Sequence, residues 1–521
     1  MIYDCFKSIF LFIGLTASLI GKAQSYYNVT NFGAKKDSSA KATLAIKKAI
    51  DAAAKAGGGT VYFPAGKYLT GPIHFKSNIT IFIDAGAELH FSDDFDDYLP
   101  MVESRYEGVD VKTFSPLFYA NNVENIAIIG RGIIDGHGKK WWDFVEGYKQ
   151  DQPRSKWQKI FDQENKGILL PDEPKQMVRG FLRPPFIQPM HSKNILIQGI
   201  TVRNSPFWTI NPEFCDNVTI HAVTVINPQR LAPNTDGINP ESCRNVRISD
   251  CYISVGDDCI TIKSGKDLPG RTKNRPAENY TITNCTMMSG HGAVVIGSEM
   301  SGGVKNIAIS NCVFDGTDRG IRLKTVRGRG GVVEDIRVDN IIMKNIRNQA
   351  IVMDIEYAKS SPEPVSERTP QFRNIRLSNI TAYTGEAMYI NGIEEMPVSE
   401  ISLHDVVFEA EQGITIRNAK DIQLHNVRVN TTVGSSLKVD NTERMLINGF
   451  ETSKPLANKA VVILNNIKNV LLQNSWPFKN TEKFLEITGA ATRNVNLQNN
   501  LINEELILVG KEVDTKEIKR D

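Results

Sequence analysis

The sequence has almost no net charge, no long hydrophobic run in its body and almost no helical periodicity. Its 61 Lys and Arg against 59 Asp and Glu leave +2, which excludes a strongly basic nucleic-acid binder and an acidic tail, so any charge preference must be local. No stretch beyond the N-terminal segment approaches the roughly 20 apolar residues of a membrane-spanning helix. The one apolar run, Ile9 to Ile20, follows Lys7 and precedes Gly21-Lys22-Ala23. That arrangement predicts a signal peptide over residues 1–23, cleaved before Gln24, and so an exported protein, periplasmic or extracellular, without a membrane association after cleavage. A polypeptide of 521 residues has room for two or three ordinary domains, yet a repeat architecture absorbs that length in one.

A repeat is what the sequence contains. The pattern Asn, apolar, any, apolar recurs at Asn125-Ile-Ala-Ile, Asn194-Ile-Leu-Ile, Asn217-Val-Thr-Ile, Asn245-Val-Arg-Ile, Asn306-Ile-Ala-Ile, Asn374-Ile-Arg-Leu, Asn469-Val-Leu-Leu and Asn494-Val-Asn-Leu, with looser copies at Asn279, Asp335, Glu400 and Asp421. Spacings of about 20 to 40 residues, with alternating β-branched strands broken by Gly, Asn and Pro, describe a stack of β-coils. Six positions after the repeat starts stand Ile200, Val223, Cys251, Cys285, Cys312, Ile341, Ile380, Val406 and Val427, all apolar. Export permits disulfides, but this register makes Cys251, Cys285 and Cys312 an interior ladder of small hydrophobes. The Asn-x-Ser/Thr matches at Asn78, Asn217 and Asn379 belong to the repeat and are not read as glycosylation sites.

The fold expected from residues 24–521 is therefore all-β, a right-handed parallel β-helix solenoid. Ser38 or Ser39 is expected to cap a helix in which Ile46, Ala49, Ile50 and Ala53 share one face and which ends at Gly57-Gly58-Gly59; it plugs the open N-terminal end that every solenoid must cover. Residues 141–185, rich in Trp and charge, are expected to form an inserted loop, and residues after Glu504 a terminal strand and tail.

Superposing coil segments by their small residue and following apolar alternation puts Asp236, Asp257 and His291 in one column on successive coils, about 4.8 Å apart per coil. Asp258 follows directly, and Arg322 and Lys324 alternate on one face of the next coil. Carboxylates this close cannot all ionise cheaply, so a proton is held on one of them near neutral pH. A carboxylic acid beside carboxylates is what glycosidic cleavage needs, one group protonating the leaving oxygen while another activates water or attacks the sugar. A lone Asp in such a turn is usually a turn former, a lone His a satisfied structural residue and an Arg-x-Lys pair a solvated edge; the constellation carries the signal. Arg322 and Lys324 offer fixed positive charge to a sugar carboxylate. The segment Lys263 to Arg275, with Arg327 and Arg329, is expected to form a positive rim that steers a polyanion; central carboxylates and export argue against nucleic acid.

Asn234-Thr-Asp236, Gly256-Asp-Asp258, Ser289-Gly-His-Gly292 and Arg322-Leu-Lys324, in this order, resemble the four signature motifs of the polygalacturonase family, glycoside hydrolase family 28. Asn31-Phe-Gly-Ala and Gly58-Gly-Thr-Val-Tyr-Phe-Pro-Ala-Gly66 also resemble that family's N-terminal region, so the likeness runs from about Tyr27 to Tyr357. One departure is Arg-Leu-Lys in place of the usual Arg-Ile-Lys. The resemblance implies an inverting hydrolase of α-1,4-galacturonosidic bonds, with Asp257 as general acid, Asp236 and Asp258 activating water, and His291 tuning the acid. Arg322, Lys324 and Tyr357 would contact galacturonate, with Asn234 and Lys263 as further substrate-binding positions, and no cofactor or metal is implied. The expected partner is an acidic polysaccharide met by a monomer. Exo-action is expected, with the 141–185 insertion walling off one end of the groove. A rhamnogalacturonan hydrolase of the same family, a calcium-dependent pectate lyase and a non-catalytic glycan-binding β-helix are the competing readings; His291 and Asp258 favour a homogalacturonan substrate.

Overall fold

A computed structural model describes residues 26–149, 152–168, 182–229 and 231–520; the expected signal peptide lies outside them. Among the described residues, thirty strands form one parallel sheet that winds on itself. Its register runs without slip through one interior column, Ile126, Ile195, Val218, Val246, Tyr280, Ile307, Ile336, Ile375 and Ile401. A continuation links Ile422, Met445, Val470, Val495 and Ile518. These side chains are buried except Ile518, which sits half-covered at the end. The stack is a parallel β-helix, and its core is a line of aliphatic columns rather than a sphere, each coil burying its apolar face only against its neighbours.

Why the repeat begins with Asn is plain from the backbone. Asn125, Asn194, Asn217, Asn245, Asn279, Asn306, Asn374, Asn469 and Asn494 all have φ between 50° and 63°, as do Asp335, Glu400 and Asp421 within the same range. Of the residues with a side chain, Asn enters this left-handed region most readily. The amides then stack. Asn125 donates to Asn78, Asn194 to Asn125, Asn217 to Asn194, Asn279 to Asn245 and Asn306 to Asn279, over 2.9 to 3.2 Å. Asn78, Asn217 and Asn379 all take part in such ladders.

The column six places on is buried throughout, and Cys251, Cys285 and Cys312 are free thiols inside it, as are Cys215, Cys243 and Cys259 elsewhere in the core. Helix α1 (Thr43–Lys55) covers the first coil with Ile46, Ala49, Ile50 and Ala53, all buried. The expected cap is displaced: Ser38 and Ser39 lie in the strand Asp37–Lys41, and the helix follows Ala42 with no side-chain cap. The strand pairs with Gly66–Thr70 at Asp37 and Lys41, on either side of the serines, and so holds them away from the helix start.

The insertion is helical where described, not a loop. Helix α2 (Lys139–Glu146) and helix α3 (Lys156–Glu164), the latter closed by a Ser155/Gln158 capping box, cluster on Phe95. Trp141 stacks on that ring at 4.1 Å and Trp157 meets it edge-on at 5.0 Å. A separate antiparallel hairpin, Val102–Tyr106 paired with Val109–Thr113, projects from the stack. A short helix α4 (Asp267–Lys273) occupies the segment expected as a cationic loop. After Glu504, strands Ile507–Val509 and Ile518–Arg520 add a last partial coil.

Candidate active site

The coils that carry the acidic residues are locked by Ile238 opposite Ile260, Ile260 opposite Val294 and Val294 opposite Ile321. Counting back two residues from these pairs sets Asp236 opposite Asp258, followed by Gly292 and Arg319. The expected column is therefore off by one residue: Asp258, not Asp257, stacks on Asp236, because the doubled Asp leaves two ways to align the motif. Asp257 instead stands beside His291, whose Nδ1 lies 3.1 Å from Asp257 Oδ1. Gly292 is required here, since a Cβ would come within 2.4 Å of Val295 and 3.2 Å of Asp258 Oδ1.

All three aspartates line one cleft of about 490 Å³ with His291, Arg322, Lys324 and Tyr357. Their environments differ. Asp236 is buried and accepts from Asn239 Nδ2 at 3.0 Å and Thr261 Oγ1 at 3.2 Å. Burial, reinforced by the charge of Asp257, pushes its carboxyl well above the ordinary range. Burial opposes ionisation of Asp258 too, but Lys324 Nζ at 3.0 Å and Arg322 at 3.7 Å outweigh it and hold that carboxyl below its ordinary value. Asp257 is the member open to the cleft, its side chain 19% exposed. Its hydrogen bond raises the pKa of His291, burial opposing. The environments thus push the pKa values of Asp236 and Asp258 in opposite directions, the asymmetry that acid and base roles demand.

Arg322, Lys324 and Tyr357 come together as expected, the two cations 5.5 and 5.7 Å from the tyrosine ring centre. Asn234 is placed to orient rather than merely to bind: it donates to Asp257 Oδ2 at 3.4 Å and accepts from the buried Arg183 at 2.7 Å. Lys263 lines the cleft, but its ammonium is engaged by Glu299 at 2.7 Å and sits over Trp208, bracing the floor below Asp236.

The positive rim is not found as expected. Lys263 pairs with Glu299, Lys266 with Glu107, Lys273 with Asp110, Arg275 with Asp216, Arg327 with Glu356 and Glu395, and Arg329 with Asp267. Arg271 donates to the carbonyls of Gly328 and Arg329. These cations staple helix α4 and the adjacent loops to the stack; the cations beside the carboxyl trio are Arg322 and Lys324, which share Asp258, with Arg319 also lining the cleft.

Lys266, from the segment expected as a rim, and Arg319 line the cleft, as do Glu107, Trp208 and Glu299, which were not singled out in the sequence. Glu299 lies two residues beyond Gly297, whose φ is 90°, and Glu107 arrives from the hairpin; neither belongs to a coil motif.

A groove on a parallel β-helix, lined by three carboxyls in unequal environments and by cations, is the arrangement of a β-helical glycoside hydrolase. The chain belongs to glycosyl hydrolases family 28: the model of that family matches residues 172–432, and a rhamnogalacturonase A/epimerase, pectate lyase-like model matches residues 26–151. A probable polygalacturonase of Vitis vinifera is 34% identical over 330 residues, 61% of this chain and 61% of that protein, so the match spans about three fifths of the relative's length. An endo-polygalacturonase of Pectobacterium carotovorum subsp. carotovorum is 30% identical over 393 residues, 74% of this chain and 88% of the relative. Among solved structures, the hyperthermoactive exopolygalacturonase from Thermotoga maritima superposes with a TM-score of 0.69 at 34% identity, covering 78% of this chain and 91% of that one.

Proposed function

We propose that the protein is an exo-acting polygalacturonase that hydrolyses α-1,4-galacturonosidic bonds with inversion. The observation that carries the reading is the asymmetric trio: Asp258 lies against Lys324, which lowers its pKa, Asp236 is buried, which raises its pKa, and Asp257 faces the cleft. In tightly coupled carboxyls the proton belongs to the group rather than to one member. It is delivered through Asp257 to the glycosidic oxygen, the leaving sugar departs as an alcohol, and Asp258 takes the proton of the water that attacks the anomeric carbon from the opposite face. His291, bonded to Asp257, resupplies the acid. Arg322 and Lys324 hold the carboxylate of the adjoining galacturonate.

Exo-action is supported by the hairpin Val102–Thr113 rather than by helices α2 and α3, which pack on Phe95 and Phe114. At its tip Tyr106 stacks on Phe207 and Trp208, at 4.7 and 6.0 Å, and Glu107 faces Lys266 at 3.7 Å. Next to the tip, Arg105 is buried between Glu213 and Glu241 and pins this end of the hairpin. A wall anchored this way, with Glu107 in the lining of the cleft, supports a groove closed on one side and so exo-action. The signal peptide, export and a monomeric enzyme without cofactor are proposed on the sequence features alone.

The test is a product profile on polygalacturonate beside rhamnogalacturonan. Short saturated products released without an early fall in viscosity, and loss of turnover in Asp257→Asn with the fold retained, are expected. Ultraviolet-absorbing unsaturated ends would assign a lyase, rapid loss of viscosity an endo-enzyme, and an unaffected Asp257→Asn a binding protein.

A further inference from the structure

Away from the cleft, at the earlier coils, three side chains of metal-ligating type converge. Strand Ile133–Asp135 pairs with Ala87–Phe91 so that Asp135 lies opposite His90, and the chain turns at once to bring His137 back over both. His90 Nδ1 is 3.0 Å from His137 Nε2, and His137 Nε2 is 3.7 Å from Asp135 Oδ1. One ligand atom from each of the three lies within 4.8 Å of the other two. Two imidazole nitrogens and a carboxylate oxygen bound to one tetrahedral ion at about 2.0 to 2.1 Å stand roughly 3.3 Å apart, which these separations straddle.

The surroundings are those of ligands already oriented. His90 Nε2 lies 3.1 Å from Glu88 Oε2, which fixes the proton on Nε2 and turns the Nδ1 lone pair toward His137. A carboxylate behind a ligating imidazole is the usual support of a histidine metal ligand. Asp135 Oδ2 accepts from Arg203 Nε at 2.7 Å, and Oδ1 accepts from the His137 amide and from Asn204 Nδ2, each at 3.0 Å. These bonds fix the orientation of the carboxylate. Asp135 and His137 also border a second cleft of about 700 Å³, shared with Trp142 of helix α2 and Leu231, so a coordination position faces solvent.

We propose that His90, Asp135 and His137 bind one divalent ion of borderline softness, zinc fitting best, with water completing a tetrahedral shell. The ion ties the start of helix α2, two residues beyond His137, to the early coils. The ion has no part in the glycosidic chemistry, and the site would stand whatever the enzyme cleaves.

Chelator-stripped protein is titrated with zinc chloride by calorimetry, and separately with cobalt(II), whose visible absorption distinguishes tetrahedral from octahedral coordination. One equivalent and a tetrahedral cobalt spectrum are expected. His137→Gln, on an exposed side chain, and His90→Ala should each abolish both signals, while Glu88→Gln should weaken zinc binding roughly 10- to 100-fold and His221→Ala, remote on the surface, should not change it. Circular dichroism shows that each variant is folded. Absence of stoichiometric binding, or binding equal in His90→Ala, His137→Gln and the parent, would mean that the two rings share only a hydrogen bond and overturns the proposal.

Discussion

Removing the ammonium of Lys324 should move the acid limb of the pH–rate profile. Its Nζ lies 3.0 Å from Asp258 Oδ2, with both side chains largely buried at 13% and 2% exposure. At an effective dielectric of about 20 a unit pair at this distance is worth roughly 5 kcal/mol. Arg322 and Lys263 still face Asp258 after the change, and water enters the space vacated, so the net loss is placed at about 1.5 to 3 kcal/mol, or roughly one to two pH units. The sign follows from the depressed carboxyl. Asp258 works as a base only when ionised, so activity is present above its folded pKa and is lost as pH falls through it. Lys324→Met raises that pKa, and the acid limb of kcat should climb by one to two units, with Lys324→Arg restoring its position. Lys324 is also proposed to hold the substrate carboxylate, so KM is expected to rise as well, but a lost sugar contact alone leaves the limb where it was. Steady-state kinetics from pH 3 to 8 on a soluble oligogalacturonate separates the two, and an unmoved limb would refute the electrostatic role given to Lys324.

The hairpin anchor makes a stability prediction: Arg105→Met leaves Glu213 and Glu241 buried without their cation and should cost about 3 to 5 kcal/mol, read by chemical denaturation. A loss below about 1 kcal/mol would mean that both carboxyls are neutral in the parent. Asn279, at φ 63°, should tolerate Gly better than Ala; the alanine is expected to destabilise by about 1 to 2 kcal/mol, and equal effects of the two would remove the conformational account of the repeat. Because the core cysteines are free thiols, dithiothreitol should leave the melting temperature of the mature protein unchanged and a thiol reagent should label it only on unfolding. A melting temperature that falls in reductant would point to a disulfide.

The fold was legible because its two requirements are written at every coil. A left-handed bend selects Asn, and the interior column selects Ile, Val or Cys, so Asn245 and Cys251 announce the coil they share. The carboxyl trio was legible for the same reason, carried at fixed offsets within coil motifs. The one-residue slip between Asp257 and Asp258 arose where two identical side chains offered equivalent alignments; the pairing of Ile238 with Ile260 decides it. What lay hidden comes from outside the coils. Glu107 reaches the cleft from a hairpin more than a hundred residues before Asp236, and Arg183 orients Asn234 from the end of an insertion with no repeat register. Charge counting misjudged the segment after Lys263, because the carboxylates that neutralise it, Glu107, Asp110, Asp216 and Glu299, are supplied by other coils and the hairpin. The helix start at Thr43 was missed because competition for Ser38 and Ser39 by a neighbouring strand is a tertiary effect.

The most direct measurement is proton NMR of the first sugar released from a reduced oligogalacturonate, recorded before mutarotation. Single displacement by water activated at Asp258 predicts that the α-linkage yields the β-anomer. A first product in the α configuration would require a covalent intermediate on one of the aspartates and would contradict the division of labour assigned to Asp236, Asp257 and Asp258.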